Sequence, residues 1–143
     1  MDLIVIGKNA KSASRELGKL DTSSKNKALH RLADALLDNK DYILAENNRD
    51  METGKQAGMA DHMLDRLFLD EARIADMAEG LRAIAALDDP VGEIMDKWER
   101  PNGLTIAKKR VPIGVIGIIY EARPNVTSDA FGLCFKTGYA VIL

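Results

Sequence analysis

Arg123, Asn125, Thr127 and Ser128 carry side chains able to hold or polarise an anion, and they fall together directly after an apolar run. That run, Ile113 to Ile119, is almost wholly apolar, the mark of a strand buried on both faces of a parallel sheet. It breaks at Tyr120-Glu121-Ala122-Arg123-Pro124-Asn125, and strand-to-helix junctions of this kind are where α/β enzymes place their chemistry. Pro124 fixes its own backbone angle and disfavours helix for Arg123, so the turn is rigid by construction. Asn125, Thr127 and Ser128 stand where side chains cap a helix expected from about 127 to 136, whose free amides and positive dipole end suit a phosphate. Asp129 in that first turn already supplies negative charge, and ordinary capping accounts for the same residues. The Arg123 guanidinium matches carboxylate or phosphate geometry, although a surface ion pair with Glu121 or another acid accounts for it equally well.

Other reactive groups read as structural. Gly114 and Gly117 lie inside the strand rather than in the turn, so they fail the glycine fingerprint that cradles a dinucleotide; they are expected to let a backbone or ring approach the sheet. Cys134 sits in the apolar, mid-helix stretch Gly132-Leu133-Cys134-Phe135 and reads as a buried, inert thiol. As the single cysteine it excludes an internal disulfide and a zinc-ligand spacing, which makes a reducing cytoplasm the default location. His30 and His62 fall in charged helical stretches without companions, so no metal site is expected. With 20 Lys+Arg against 22 Asp+Glu the net charge is −2, too little field to hold a nucleic acid or an anionic membrane. The exception, Lys108-Lys109-Arg110, reads as a solvated strand end. Leu3 to Ile6 follows Asp2 and is too short for a signal-peptide core or a membrane span.

The elements that position the turn are legible as a change of period along 143 residues, of which 46% are hydrophobic and 29% charged. Leu3, Ile6, Ala10, Ala13, Leu17 and Leu20 form one helical stripe, against the rival of a first strand entering a turn at Gly7. Asp21-Thr22-Ser23-Ser24 supplies caps for a second helix with Leu29, Leu32 and Leu36 on one side and Lys25, Lys27 and Arg31 facing out. A third helix runs from Tyr42 to about Gln56 with Ile43, Leu44 and Met51 inward, followed by a Gly58 stop and a short helix at His62 to Leu67. Asp70 caps a fifth, whose Ile74, Met77, Ala78, Leu81, Ile84 and Ala85 give the clearest amphipathic pattern and which ends before Asp88-Asp89-Pro90. Then the period becomes extended. Ile94 to Trp98 and Leu104 to Val111 flank Arg100-Pro101-Asn102-Gly103, predicting a β-hairpin. The strand at 113–119, a helix to Lys136 and the strand Ala140 to Leu143 make a β-α-β unit.

The stretch from Arg110 to Thr127 resembles the strand-to-helix segment of the γ-glutamyl phosphate reductases, or glutamate-5-semialdehyde dehydrogenases, of the aldehyde dehydrogenase superfamily. The likeness extends through Met63-Leu64-Asp65-Arg66-Leu67, Asp89-Pro90-Val91-Gly92 and Leu133 to Leu143. It implies an oxidoreductase of L-proline biosynthesis that uses NADPH to convert L-glutamyl 5-phosphate into L-glutamate 5-semialdehyde and phosphate through a cysteine thioester. Asn125 matches the superfamily asparagine whose amide receives the oxyanion, in a turn that differs in length from the commoner superfamily pattern. Tyr120, Glu121, Ala122 and Arg123 would line the cofactor side, and Arg123 and Asn125 would contact the substrate. The resemblance places the catalytic cysteine in a later segment, so the 143-residue chain alone is expected to be inactive. Hairpins like 94–111 assemble subunits in the superfamily, which makes a homo-oligomer an expectation.

The fold class expected is therefore α/β: N-terminal helices over 1–87, a hairpin over 94–111, and over 112–143 the first β-α-β unit of a Rossmann-like parallel sheet. Two parallel strands need further strands and covering helices. The sequence reads as the N-terminal portion of a cofactor-binding domain from a longer protein. Two rivals from other classes are a free-standing nucleotide-binding module without catalysis and a helical interaction domain whose strands pair with a partner's sheet edge.

Overall fold

Caps and periodicity together set the helix order in the computed structural model, which describes residues 2–121 and 123–143. Among these residues the elements are α1 (Leu3–Leu17), α2 (Thr22–Asp38), α3 (Lys40–Gln56), α4 (Asp61–Leu67), α5 (Glu71–Ala86), β1 (Ile94–Glu99), β2 (Thr105–Lys109), β3 (Val115–Gly117), α6 (Pro124–Lys136) and β4 (Ala140–Ile142). Asp2, Asp21 and Asp70 each accept a hydrogen bond from an amide of the first turn they precede, satisfying a donor with no partner inside the helix. The Ser24 amide so placed holds the Asp21 carboxyl below its ordinary value. The first segment is helix, as its stripe predicts, not a strand entering Gly7.

The core lies where α2, α5 and α6 meet. Leu29 and Ala33 of α2 are buried against Ala78, Leu81, Ile84 and Ala85 of α5, and all six inward residues expected for α5 are buried. A second cluster of Leu69, Ile74 and Met77 extends the core toward Ile43 and Leu44 of α3. Fully burying side chains such as Leu81 and Ile74 stabilises the fold by about 1.5–3 kcal/mol each. Helix α6 reaches α5 at Gly132, where an added Cβ would stand 2.9 Å from both Ile84 Cδ1 and Leu81 Cδ2. No larger residue fits that approach without displacing the core.

Lys25 corrects the sequence reading. Expected to face solvent, it is buried, because its ammonium pairs with Asp89 and donates to the Lys136 carbonyl at 3.0 Å. Lys136 is buried as well and donates to Asn26 Oδ1 at 2.7 Å and to the Ala85 carbonyl at 2.9 Å. Burial acts to raise the Asp89 carboxyl, but hydrogen bonds from Lys25, the Val91 amide and Thr22 outweigh it and leave it below its ordinary value. Burial pushes the Lys136 ammonium down. This polar knot ties the start of α2 to the segment after α5 and to the end of α6.

Strands β1 and β2 pair antiparallel, with Trp98 opposite Ile106 and Glu99 opposite Thr105, around a turn in which Gly103 has φ +82°. The second strand ends at Lys109, two residues earlier than Val111. Parallel pairing joins Val115, Ile116 and Gly117 to Ala140, Val141 and Ile142. Helix α6 closes before it with Gly138 at φ +75°, the Tyr139 amide reaching back to the Cys134 carbonyl and the Gly138 amide to that of Phe135. The buried strand expected over 113–119 shrinks to 115–117, and Ile113 and Ile119 are exposed at 73% and 102%. A strand buried on both faces needs layers on both sides, and around these residues the described chain does not supply them. Gly114 has φ +119°, so its role is conformational, whereas around Gly117 nothing lies within 4 Å of an added Cβ.

Candidate functional site

The turn after β3 and the start of α6 are built by Pro124. It occupies the first helical position, where a missing amide hydrogen costs nothing and its fixed backbone angle already suits a helix. Helix α6 therefore starts three residues earlier than expected, and Arg123, extended at φ −135° and ψ 93°, becomes its N-cap residue. The capping roles expected of Asn125, Thr127 and Ser128 are not what the structure shows: among the described residues no side chain caps α6. Ser128 Oγ instead donates to the Asn125 carbonyl at 2.8 Å, and Thr127 Oγ1 shares a 2.5 Å hydrogen bond with the Tyr120 hydroxyl, fastening the turn to the helix. With the earlier start, Asp129 moves out of the first turn, which holds no acid. Pro124 has no amide hydrogen and the Val126 amide donates to the Arg123 carbonyl at 3.0 Å, so what this turn offers an anion is chiefly its positive dipole end.

Arg123, Pro124, Asn125 and Asp129 form one wall of a cleft of about 390 Å³. The opposite wall comes from α4, α5 and the segment between them, with Arg66, Arg73 and Asp76 among its residues. Arg73 is fixed there by Asp65 Oδ1 at 3.0 Å, by the Phe68 carbonyl at 2.8 Å and by stacking over the Phe68 ring at 5.4 Å. Asn125 is exposed, and its Nδ2 makes one long hydrogen bond to Asp129 Oδ2 at 3.3 Å. Arg123 is exposed too, and among the described residues it enters none of the ion pairs, the Glu121 pair included.

Of the residues singled out in the sequence, the structure thus brings Arg123 and Asn125 into one cleft. Tyr120 and Glu121 are exposed at the end of the sheet and do not line that cleft. Ala122 lies outside the described residues. Cys134 is buried mid-helix, and burial pushes its thiol above its ordinary value, so little nucleophilic thiolate forms. His30 and His62 are exposed.

No family model matches the chain. Its sequence is 57% identical over 142 residues to the γ-glutamyl phosphate reductase of Clostridium botulinum strain Eklund 17B, covering 99% of this chain and 34% of that one. It is 61% identical over 137 residues to the γ-glutamyl phosphate reductase of Moorella thermoacetica, covering 96% of this chain and 33% of that one. The crystal structure of γ-glutamyl phosphate reductase from Thermotoga maritima superposes with a TM-score of 0.95 at 40% identity, over 99% of this chain and 34% of that one. Along nearly its whole length the chain is similar to γ-glutamyl phosphate reductases. It spans about a third of the length of the relatives it matches. The Saccharomyces cerevisiae γ-glutamyl phosphate reductase agrees, with a TM-score of 0.88 at 35% identity over 96% of this chain and 35% of that one.

The lining of the cleft also includes residues that the sequence did not single out. Asp65 and Arg66 belong to Met63-Leu64-Asp65-Arg66-Leu67, a segment that carried the resemblance but had no role; the structure sets both beside the turn. Asp76, between the inward residues Ile74 and Met77 of α5, was not singled out in the sequence. Its signal was a carboxylate on the helix that faces α6, visible only once that pairing is known. No helix among the described residues is long and apolar enough to cross a membrane.

Proposed function

We propose that this chain supplies part of the active site of an NADPH-dependent γ-glutamyl phosphate reductase, which converts L-glutamyl 5-phosphate into L-glutamate 5-semialdehyde and phosphate in the cytoplasm, for L-proline biosynthesis. The observation that carries the proposal is the cleft that gathers Arg123 and Asn125 at the free end of α6, in a chain that aligns with these reductases along nearly its whole length. Whether a nicotinamide fits beside it is tested by the end of β3. Gly117 leaves open space where a side chain would project, and Ile119 and Tyr120 are exposed next to it, so a flat ring has an apolar surface on which to lie. When bound, the reduced nicotinamide supplies hydride.

The chain's own residues do the rest of the positioning. The guanidinium of Arg123 and the positive dipole end of α6 attract the acyl phosphate. The Asn125 amide, a neutral donor, meets the negative charge that develops on the carbonyl oxygen when a thiolate adds to it. Fixing Tyr120 to Thr127 keeps the turn from collapsing over this donor. Cys134 is not the thiolate, since it is buried in α6; in this reading the nucleophile comes from polypeptide outside these 143 residues.

The test is an assay of the purified 143-residue chain, and of a longer polypeptide carrying it, for NADPH oxidation with L-glutamyl 5-phosphate. Activity only in the longer polypeptide is expected. Activity of the short chain that persists in Cys134→Ala would overturn the assignment of the nucleophile to another segment, and inactivity of both would overturn the reductase reading.

A further inference from the structure

Arg66, Asp76, Arg123 and Asp129 line the same cleft, two charges of each sign. None of them enters any of the ion pairs among the described residues. Arg73, the third guanidinium of the cleft, is already spent on Asp65 and on the Asp65 and Phe68 carbonyls, the latter two at 2.6 and 2.8 Å. Arg66 has a 3.8 Å contact to Met63 Sδ, too weak to compensate its charge. Asp129 accepts the long bond from Asn125, which is a neutral donor and leaves the carboxylate charge standing.

The position of Asp129 narrows the choice of ligand. Its Oδ1 lies 3.6 Å from where a Cβ at Gly80 would project, so the carboxylate rests against α5 at a residue one helical turn beyond Asp76. Asp76 and Asp129 thus bring two carboxylates from facing helices into one cleft, where like charges repel and an ammonium group between them relieves the repulsion. Arg66 and Arg123 offer planar donors for carboxylate or phosphate on the same cleft. A pocket whose opposite charges stay apart rather than neutralise each other is complementary to a ligand that carries both signs.

We propose that the cleft holds the α-amino acid head of the substrate: Asp129 and Asp76 receive its ammonium, Arg66 receives its carboxylate, and Arg123 is left for the acyl phosphate. The assignment rests on the reductase reading above and adds the source of its selectivity for an amino acid. Sites built around a charged substrate group reject analogues that lack it, because the group's partners are then left uncompensated.

The experiment uses the complete polypeptide that carries this chain, run in the oxidising direction with NADP and inorganic phosphate. Three aldehydes are compared: L-glutamate 5-semialdehyde, 5-oxopentanoate, which lacks the ammonium, and 4-aminobutanal, which lacks the carboxylate. Asp129→Asn is expected to lower kcat/KM on the amino acid about ten- to a hundredfold more than on 5-oxopentanoate. Arg66→Gln is expected to show the same discrimination against 4-aminobutanal. Because each result is a ratio within one variant, the folded fraction cancels. Equal losses on the paired substrates, or no loss on either, would overturn the head-group assignment while leaving the reductase chemistry intact. An unsubstituted protein that oxidises none of the three aldehydes would remove the reductase reading, and this assignment with it.

Discussion

The bundle of α2, α5 and α6 and the strands that follow it differ in what surrounds their side chains. In the bundle, Leu29, Ala33, Ala78 and Leu81 are wholly withdrawn from solvent, and even the two buried lysines find acceptors. In β1 every residue is exposed, and Val111, Ile113 and Ile119 near the parallel pair stand at 69%, 73% and 102% exposure. The first region carries its own stability. The second carries apolar surface that, on the proposed reading, meets further polypeptide, in keeping with a chain that spans about a third of its relatives. The cleft lies at the edge of the bundle, between α4 and α5 on one side and the start of α6 on the other.

Substitutions in the two regions test this contrast. The largest effect is expected at the polar knot: Asp89→Ala leaves Lys25 and Lys136 buried without their carboxylate, and urea unfolding should show a loss of about 3–5 kcal/mol. The same carboxylate sets a pH limb. Its folded-state pKa lies below the ordinary 3.8, so the stability it contributes is complete above that value and is lost as the pH falls through the lower, folded value. An acid titration of unfolding stability should lose that limb in Asp89→Asn. Next comes Gly132→Val, which forces methyl groups into Ile84 and Leu81 and should cost about 1–3 kcal/mol. At the exposed end the effect should nearly vanish: Met95→Ala in β1 should change unfolding stability by less than about 0.5 kcal/mol. A Met95→Ala loss as large as that of Gly132→Val would erase the contrast between the two regions.

Much of this arrangement was legible in the sequence where the signal is local. The six-residue stripe of α5, the Asp21 and Asp70 caps and the Pro-Asn-Gly turn of the hairpin each depend on neighbours within a few positions, and each appears as expected. Lys25 was misread because its partners, Asp89 and Lys136, lie far along the chain, and a lysine beside Asn26 and Lys27 has every local mark of a solvated face. The start of α6 was placed late for a related reason. The proline that disfavours helix for the residue before it also opens a helix itself, and choosing between the two needs the tertiary setting. The shortened β3 shows the limit of reading burial from apolar composition, since burial depends on layers that local pattern does not contain. Arg123 and Asn125 were found from their types and their place after the strand, whereas Arg66 and Asp76 became visible only when α5 was set against α6.

In the proposed function Asn125 is the donor that meets developing negative charge at the end of the rigid turn. The most direct test is the steady-state kinetics of Asn125→Ala in the complete polypeptide that carries this chain. Loss of an oxyanion donor predicts a fall in kcat of about 10²–10³-fold with KM little changed. A kcat within about twofold of the unsubstituted protein would contradict it.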